Sequence, residues 1–330
     1  RWRFSAFMIY GCFIGSIMYP VFGNWVWGGG WLSQLGNNFG LGHGHVDFAG
    51  SSVVHMTGGV MAFFTCRLLG ARRGKFNADG TPNAIPGHNI PMALVGTFIL
   101  MFGWFGFNAG STLAGTDLRI GVIAVNTMLA GAAGSASAMI YMWLRYGKPD
   151  PSMIANGALA GLVAITAPCA FVTAPSAVLI GTIAGVLVCW SVFFMERSLK
   201  LDDPVGAISV HGVCGLWGIL SLGLLADGTY GDGFNGVKGA VTGLFYGDSG
   251  QFFAQVIGGV TNIVAVGAMT VVAWQITALV TSGHRVSADV EELGLDLPEM
   301  GALAYPDTAD LATAVVLPGG VAKAATSMAA

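Results

Sequence analysis

Two short stretches of this sequence share one pattern, and that pattern decides the fold. The first reads Asp47-Phe-Ala-Gly50-Ser-Ser-Val-Val54-His55 and the second reads Asp203-Pro-Val-Gly206-Ala-Ile-Ser-Val210-His211. Both follow D-x-x-G-x-x-x-V-H, so each histidine stands eight residues after its aspartate. The echo indicates an internal repeat in which each copy carries one histidine.

The composition around the echo is that of a membrane protein. The chain has 330 residues, of which 54% are hydrophobic and 9% are charged, whereas a soluble domain carries roughly 25% charged residues. A cytosolic enzyme and a disordered chain are therefore excluded. The net charge of −3 and the lack of a basic stripe exclude nucleic-acid binding. We expect a multi-pass protein of the lipid bilayer, without enzymatic activity.

Long uncharged runs mark the spans, and Pro, Gly and turn residues divide them. A spanning helix needs about 20 apolar residues. The sequence predicts an all-α polytopic fold with about eight transmembrane helices, at 4–22, 48–70, 90–111, 119–144, 152–169, 176–197, 205–226 and 250–281. The loop 227–249 reads as a plain polar connection, and residues 283–330 as a soluble tail after a transmembrane domain at 1–282.

The basic residues fall mostly on one side of the predicted helix bundle. Of the fourteen Lys and Arg, only Arg119 and Lys238 fall on one side of the predicted bundle, and twelve fall on the other. The positive-inside rule makes the second side cytoplasmic, with both chain ends there. The two His-bearing helices then run in opposite directions, as in the inverted repeats of many transporters.

Geometry brings the two histidines together. If each helix begins near its aspartate, each histidine lies roughly 12 Å deep in a hydrocarbon core about 30 Å thick. His55 and His211 could then meet at the midplane. Each could also simply bond a backbone carbonyl. A pair suits a small hydrogen-bonding solute or a proton relay; a haem or a metal is the remaining alternative, although no cofactor is expected.

The helix at 90–111 ends in Gly103-Trp-Phe-Gly-Phe-Asn-Ala-Gly-Ser111, which the topology places outside, near Trp27. Aromatic rings and a hydroxyl can bind a small cation, and cation–π attraction contributes about 0.5–2 kcal/mol. Aromatic packing explains the same residues equally simply. Asp47 and Asp203 are expected to cap helix N-termini, and Asp47 could also attract cations.

These residues resemble the ammonium transporter family (Amt/Mep/Rh), specifically its bacterial Amt branch. The matching segments are Trp27-Gly-Gly-Gly, Asp47-Phe-Ala-Gly, Val54-His55, His88-Asn-Ile-Pro, Gly103 to Ser111, Val210-His211-Gly-Val-Cys-Gly215, and the tail from Gly294 to Tyr305. The resemblance implies an inverted-repeat helix bundle that forms homotrimers with one pore per subunit.

The resemblance also implies roles for seven residues. Trp27 and Ser111 fall on the external ammonium site with Phe107, a gate phenyl. Asp47 falls on the acidic residue near that site, His55 and His211 fall on the twin-histidine pair, and Trp104 lines the pore. The implied mechanism is capture of ammonium, deprotonation, separate passage of ammonia and a proton, and recombination inside.

The same family contains ammonium sensors without transport, and its members bind a P-II signal protein on the cytoplasmic face. The eight predicted helices correspond to the last eight of the family's eleven. We therefore expect the sequence to be an N-terminally truncated record of a protein of the inner or plasma membrane, with its C-terminus cytoplasmic.

Overall fold

The computed structural model describes residues 1–305 and, after them, the strands β3 (Ala314–Val316) and β4 (Ala322–Ala324), which pair antiparallel. The helices are α1 (Phe4–Trp27), α2 (Leu35–Phe39), α3 (Ser51–Leu69), α4 (Ile90–Thr112), α5 (Arg119–Tyr146), α6 (Pro151–Ile165), α7 (Ala174–Arg197), α8 (Ile208–Leu225), α9 (Ser249–Thr281), α10 (Ala288–Leu293) and α11 (Asp296–Met300). The remaining part of the predicted tail 283–330 lies outside the described residues.

Seven of these helices are long and apolar enough to cross a membrane: α1, α3, α4, α5, α7, α8 and α9. The eighth predicted span, 152–169, is the 15-residue helix α6, which turns after Ile165. Its length of about 22 Å is short for a span. The segments before α1 and after α9 nevertheless meet at one end of the bundle. Arg3 N donates to His284 O at 2.8 Å, and Trp2 and Arg285 form a β-bridge. An even number of crossings is needed for that, and α6 is the one further apolar helix of ten or more residues in the described part of the chain.

Both copies of the repeat begin in the same way. The helices start at Ser51 and Ile208, three residues later than predicted, and each opens with a π-helical segment, Ser51–Met56 and Ile208–Val213. Before each lies a glycine with positive φ, Gly50 at 126° and Gly206 at 77°. The assumption that each helix begins near its aspartate was therefore wrong, because the aspartate caps its helix from across a short loop.

The two copies cross in opposite directions, which confirms the predicted inversion. Gly59 meets Gly212, while Met56 meets Gly215 and the side chain of Ser51 meets Gly218. From one contact to the next, the residue numbers decrease along α3 and increase along α8, so the two helices are antiparallel. A Cβ added to Gly59 would lie 2.0 Å from the backbone N of Gly212, so the two backbones touch. Small residues permit such close approach in membrane proteins.

A second close-packed group supports the crossing from one side. Helices α5, α6 and α7 meet through Gly134, Gly157 and Gly185, where an added Cβ would lie within 2.4 Å of a neighbouring atom. α6 is almost wholly buried from Gly157 to Ile165. This explains how a short helix can be held within the bundle.

The connections that the sequence places outside carry more structure than it predicted. α1 continues to Trp27 rather than ending at 22, so Trp27 stands at a helix end. Residues 227–249 are not a plain loop, because β1 (Asp227–Phe234) and β2 (Val237–Thr242) pair antiparallel around Asn235-Gly236. Asn-Gly is a strong hairpin signal, so this element was visible in the sequence.

Candidate functional site

The two histidines of the repeat face each other where α3 and α8 cross. Their Nδ1 atoms are 3.3 Å apart, and their ring centroids are 5.3 Å apart with a 22° angle between the planes. His55 is buried and His211 half-buried. The antiparallel crossing places equivalent residues of two repeat copies side by side, as the echo predicted.

The short Nδ1 separation determines the hydrogen-bonding capacity of the pair. When both imidazoles are neutral, one Nδ1 donates and the other accepts. The donating ring then has an unprotonated Nε2, and the accepting ring carries its proton on Nε2. His55 Nε2 is buried and has no partner within the described residues. The pair therefore offers a free ring nitrogen to a small solute.

Aromatic side chains of α4 cover this pair. The Trp104 ring stacks on His55 with centroids 5.1 Å apart and an interplanar angle of 19°. The Phe107 ring lies 5.5 Å from His55 and 5.7 Å from Trp104. The Trp104 indole N–H donates to Thr166 Oγ1 at 3.1 Å, which fixes the ring. One side of the histidine pair is therefore walled by apolar rings.

Ser111 lies one helical turn beyond Phe107. Its hydroxyl donates to the Phe107 carbonyl oxygen at 2.8 Å. A serine hydroxyl has one proton and two lone pairs. Because the proton is already engaged, the Ser111 oxygen can only accept from a ligand, which suits the N–H groups of a cation.

Trp27 stands at the end of α1 with 43% of its surface exposed. Its indole N–H donates to the backbone oxygen of Asp47 at 2.7 Å. No hydrogen bond joins Trp27 to Ser111 within residues 1–305. The structure thus brings Trp104, Phe107 and both histidines together, and ties Trp27 to Asp47 instead.

The Asp47 carboxylate is fully buried and serves as a cap. It accepts four backbone N–H bonds, from Gly50, Ser51, Ser52 and Val53, at 2.7–3.0 Å, and a fifth from the Ser52 hydroxyl at 2.7 Å. Both oxygens are occupied. Asp47 therefore holds the start of the His55 helix, and direct contact between its carboxylate and a ligand is blocked. Asp203 caps α8 more simply, accepting from Ile208 N at 2.7 Å.

Sequence reasoning missed a polar face of α9 that supports this site. Gln255 accepts from Val46 N at 2.9 Å and donates to Val46 O at 2.7 Å, Gln251 bonds His43 N and Gly44 O in the same manner, and Asn262 donates to Thr57 Oγ1 at 2.9 Å. Their spacing puts the three on one face of an otherwise apolar span. That spacing was the available signal, whereas nothing in the sequence marked Thr166.

The chain is similar to known ammonium transporters. The model described as Ammonium Transporter Family matches residues 1–305. The ammonium transporter Amt2 of Archaeoglobus fulgidus is 50% identical over 310 residues, covering 93% of this chain and 65% of that protein. An ammonium transporter of Bacillus subtilis is 35% identical over 308 residues, covering 93% and 70%. The chain thus spans about two thirds of the length of these relatives.

Solved structures agree. A structure titled Sensor Amt Protein superposes with a TM-score of 0.77 at 36% identity, covering 87% of this chain and 68% of that one. The crystal structure of Candida albicans Mep2 also gives a TM-score of 0.77, at 27% identity, covering 88% and 61%.

Proposed function

Because the chain belongs to the ammonium transporter family, we propose that it is an ammonium transporter with a twin-histidine passage. Residues 1–282 are its transmembrane domain and residues 283–330 its cytoplasmic tail. The observation that carries the proposal is the contact between His55 and His211 at 3.3 Å, walled by Trp104 and Phe107.

The external ammonium site is assigned to Trp27, Phe107 and Ser111, with Asp47 beneath Trp27. The indole and phenyl faces attract a cation, and the Ser111 oxygen accepts one of its N–H bonds. Ammonium can donate hydrogen bonds, whereas potassium has no hydrogen to donate. This gives the site a basis for selecting ammonium.

Beyond the site, a charged ion meets apolar walls. Moving an ammonium-sized ion from water into a low-dielectric interior costs on the order of 20 kcal/mol before relaxation. Ammonium therefore releases its proton and ammonia passes as a neutral solute, hydrogen-bonded to the ring nitrogens of His55 and His211. The proton crosses separately, and the two recombine inside. Potassium has no proton to release, so the passage excludes it.

The assembly and location follow the family. We propose a homotrimer in the inner or plasma membrane with both ends of this chain cytoplasmic, because twelve of fourteen basic residues fall on that side. The cytoplasmic face is the surface for a P-II signal protein.

A second candidate function is ammonium sensing without flux. The similarity to the structure titled Sensor Amt Protein, at 36% identity, favours considering it. A sensor would keep the external site and lose passage.

Reconstitution of the complete protein in liposomes separates the two candidates. An ammonium gradient should produce an ammonium-dependent current or a change of internal pH, and protein-free liposomes are the control. Ammonium binding without flux would reject the transport function and support the sensing function.

A further inference from the structure

The loop that leads into α3 contains a histidine that the proposed passage does not use. His45 has no exposed surface, and neither have Ser52 and Asp47. His45 Nε2 lies 2.9 Å from Ser52 Oγ, and Ser52 Oγ lies 2.7 Å from Asp47 Oδ2. The three side chains form a continuous hydrogen-bonded chain out of contact with solvent.

The direction of this chain is fixed by its last member. Four backbone N–H groups point at the two oxygens of Asp47, so the carboxylate only accepts. Ser52 must use its single proton toward Asp47 and therefore accepts from His45. His45 consequently carries its proton on Nε2. Its Nδ1 has no partner within the described residues and lies against Gly258 of α9, where an added Cβ would come within 2.1 Å.

Trp27 of the external site and the start of the histidine helix both depend on Asp47, the residue at the end of this hydrogen-bonded chain. The backbone oxygen of Asp47 holds the Trp27 indole at 2.7 Å. The carboxylate holds the N–H groups of Gly50 to Val53, two residues before His55. A displacement of Asp47 that moves both its backbone and its carboxylate would therefore shift Trp27 and the start of the histidine helix together.

We propose that His45 is a positioning residue for ammonium recognition: its Nε2–H orients the Ser52 hydroxyl toward Asp47, and this fixes Trp27 and the first turn of α3. The inference rests on the proposed transport function. His45 contacts no ligand itself and acts through Ser52 and Asp47.

Two substitutions at His45 distinguish the effect of its N–H donor from the effect of the space that its ring fills. Gln places an N–H at the distance of Nε2 and cannot titrate, whereas Phe fills the space without a donor. His45→Phe should raise the KM for ammonium about 10-fold, the scale of one buried hydrogen bond, with little change in kcat. His45→Gln should restore the KM to within about 2-fold of the unchanged protein. Equal KM values for both variants and the unchanged protein would overturn the proposal.

Ser52→Ala removes the middle hydroxyl of the hydrogen-bonded chain without adding bulk. It therefore provides a second test if the His45→Phe variant folds poorly. It should raise the KM as His45→Phe does. The control is Ser51→Ala, which removes an equally buried hydroxyl bonded to Val163 O and Ala167 N. An equal rise in KM for the control would contradict a specific role of the His45 chain.

Backbone hydrogen exchange provides a measurement that does not need transport. The amides of Ser52 and Val53 should exchange faster in His45→Phe and Ser52→Ala, and normally in His45→Gln. Unchanged protection in all three variants would overturn the proposal. If the unchanged protein showed no flux while this exchange pattern held, the transport function would fail and the positioning role would stand.

Discussion

Asp47 and Asp203 occupy the same position of the repeat and have different environments. Asp47 accepts five hydrogen bonds and is fully buried, whereas Asp203 accepts one from Ile208 N and is half-buried. The sequence predicted a capping role for both. The hydroxyl bond was open to prediction, because Ser52 donates to Asp47 and the equivalent position of the second copy is Ile208, which has no hydroxyl. The number of backbone N–H groups that each carboxylate accepts could not be predicted, because it depends on how the two loops fold.

This difference gives a matched pair of substitutions. Asp47→Asn should lower the free energy of unfolding by about 3 kcal/mol, because an amide nitrogen would face backbone N–H donors in a buried site. Asp203→Asn should lower it by less than about 1 kcal/mol, because the asparagine oxygen still accepts from Ile208 N and only the negative charge at the helix N-terminus is lost. Denaturant or thermal unfolding of the purified protein measures both. Equal losses would show that the five bonds of Asp47 are not worth more than the single cap.

The residues of the histidine pair were predictable and their supports were not. The echo and the apolar runs were sufficient to place His55 and His211 at equivalent positions of inverted helices. Trp104 is fixed by Thr166, which lies 62 positions away, and His45 is engaged by Ser52. Such bonds depend on side-chain directions that a linear pattern does not contain.

At the scale of the elements, the crossing of α3 and α8 sets the distance between the histidines. Gly59 and Gly212 bring the two backbones into contact, one helical turn after His55 and directly after His211. A larger side chain there would push the helices apart. Helix positions followed from hydrophobic runs, but the π-helical starts did not, since they arise from capping by residues before the helix.

Adjacent glycines provide the test of the crossing. Gly59→Ala should destabilise the protein by about 3 kcal/mol through overpacking and weaken ammonium selectivity, because its Cβ would meet Gly212 at 2.0–2.3 Å. Gly58→Ala is the control, since no atom lies within 4 Å of its added Cβ. It should be neutral or stabilise by up to about 1 kcal/mol. Similar unfolding midpoints for the two variants would refute the close crossing.

At the scale of the whole molecule, the start of the chain and the segment after α9 join on one side of the bundle. Arg285 donates to Leu69 O and Ala71 O and pairs with Glu291, while Phe4 N donates to Glu299. The charge distribution predicted that both ends share a side. It could not predict that the tail packs against the start of α1.

The tail contact depends on a neutral histidine. The His284 ring stacks on Trp274 with centroids 3.5 Å apart, and Nε2 donates to Trp274 O at 2.8 Å. Nδ1 is buried without a partner in the described region. Burial lowers the pKa of His284 below its ordinary value, although the hydrogen bond to Trp274 opposes the shift.

The sign of the pH effect follows from this lowered pKa. The docked tail binds fewer protons than the free tail, so docking is complete above about pH 6.5 and weakens as the pH falls toward the lowered pKa. Proteolysis of residues 283–305 should therefore accelerate between about pH 7.5 and about pH 5.5. His284→Gln, which keeps an N–H donor, should remove that acceleration. The same acceleration in both proteins would assign the effect to other groups.

The most direct measurement of the central claim is the selectivity of the complete protein with both passage histidines removed. Ammonium and potassium currents are compared in liposomes for the unchanged protein and for the double variant His55→Ala and His211→Ala. The account predicts ammonium current without potassium current in the unchanged protein, and loss of that discrimination in the variant, because deprotonated passage depends on the ring nitrogens. Unaltered selectivity for ammonium over potassium in the double variant would contradict it.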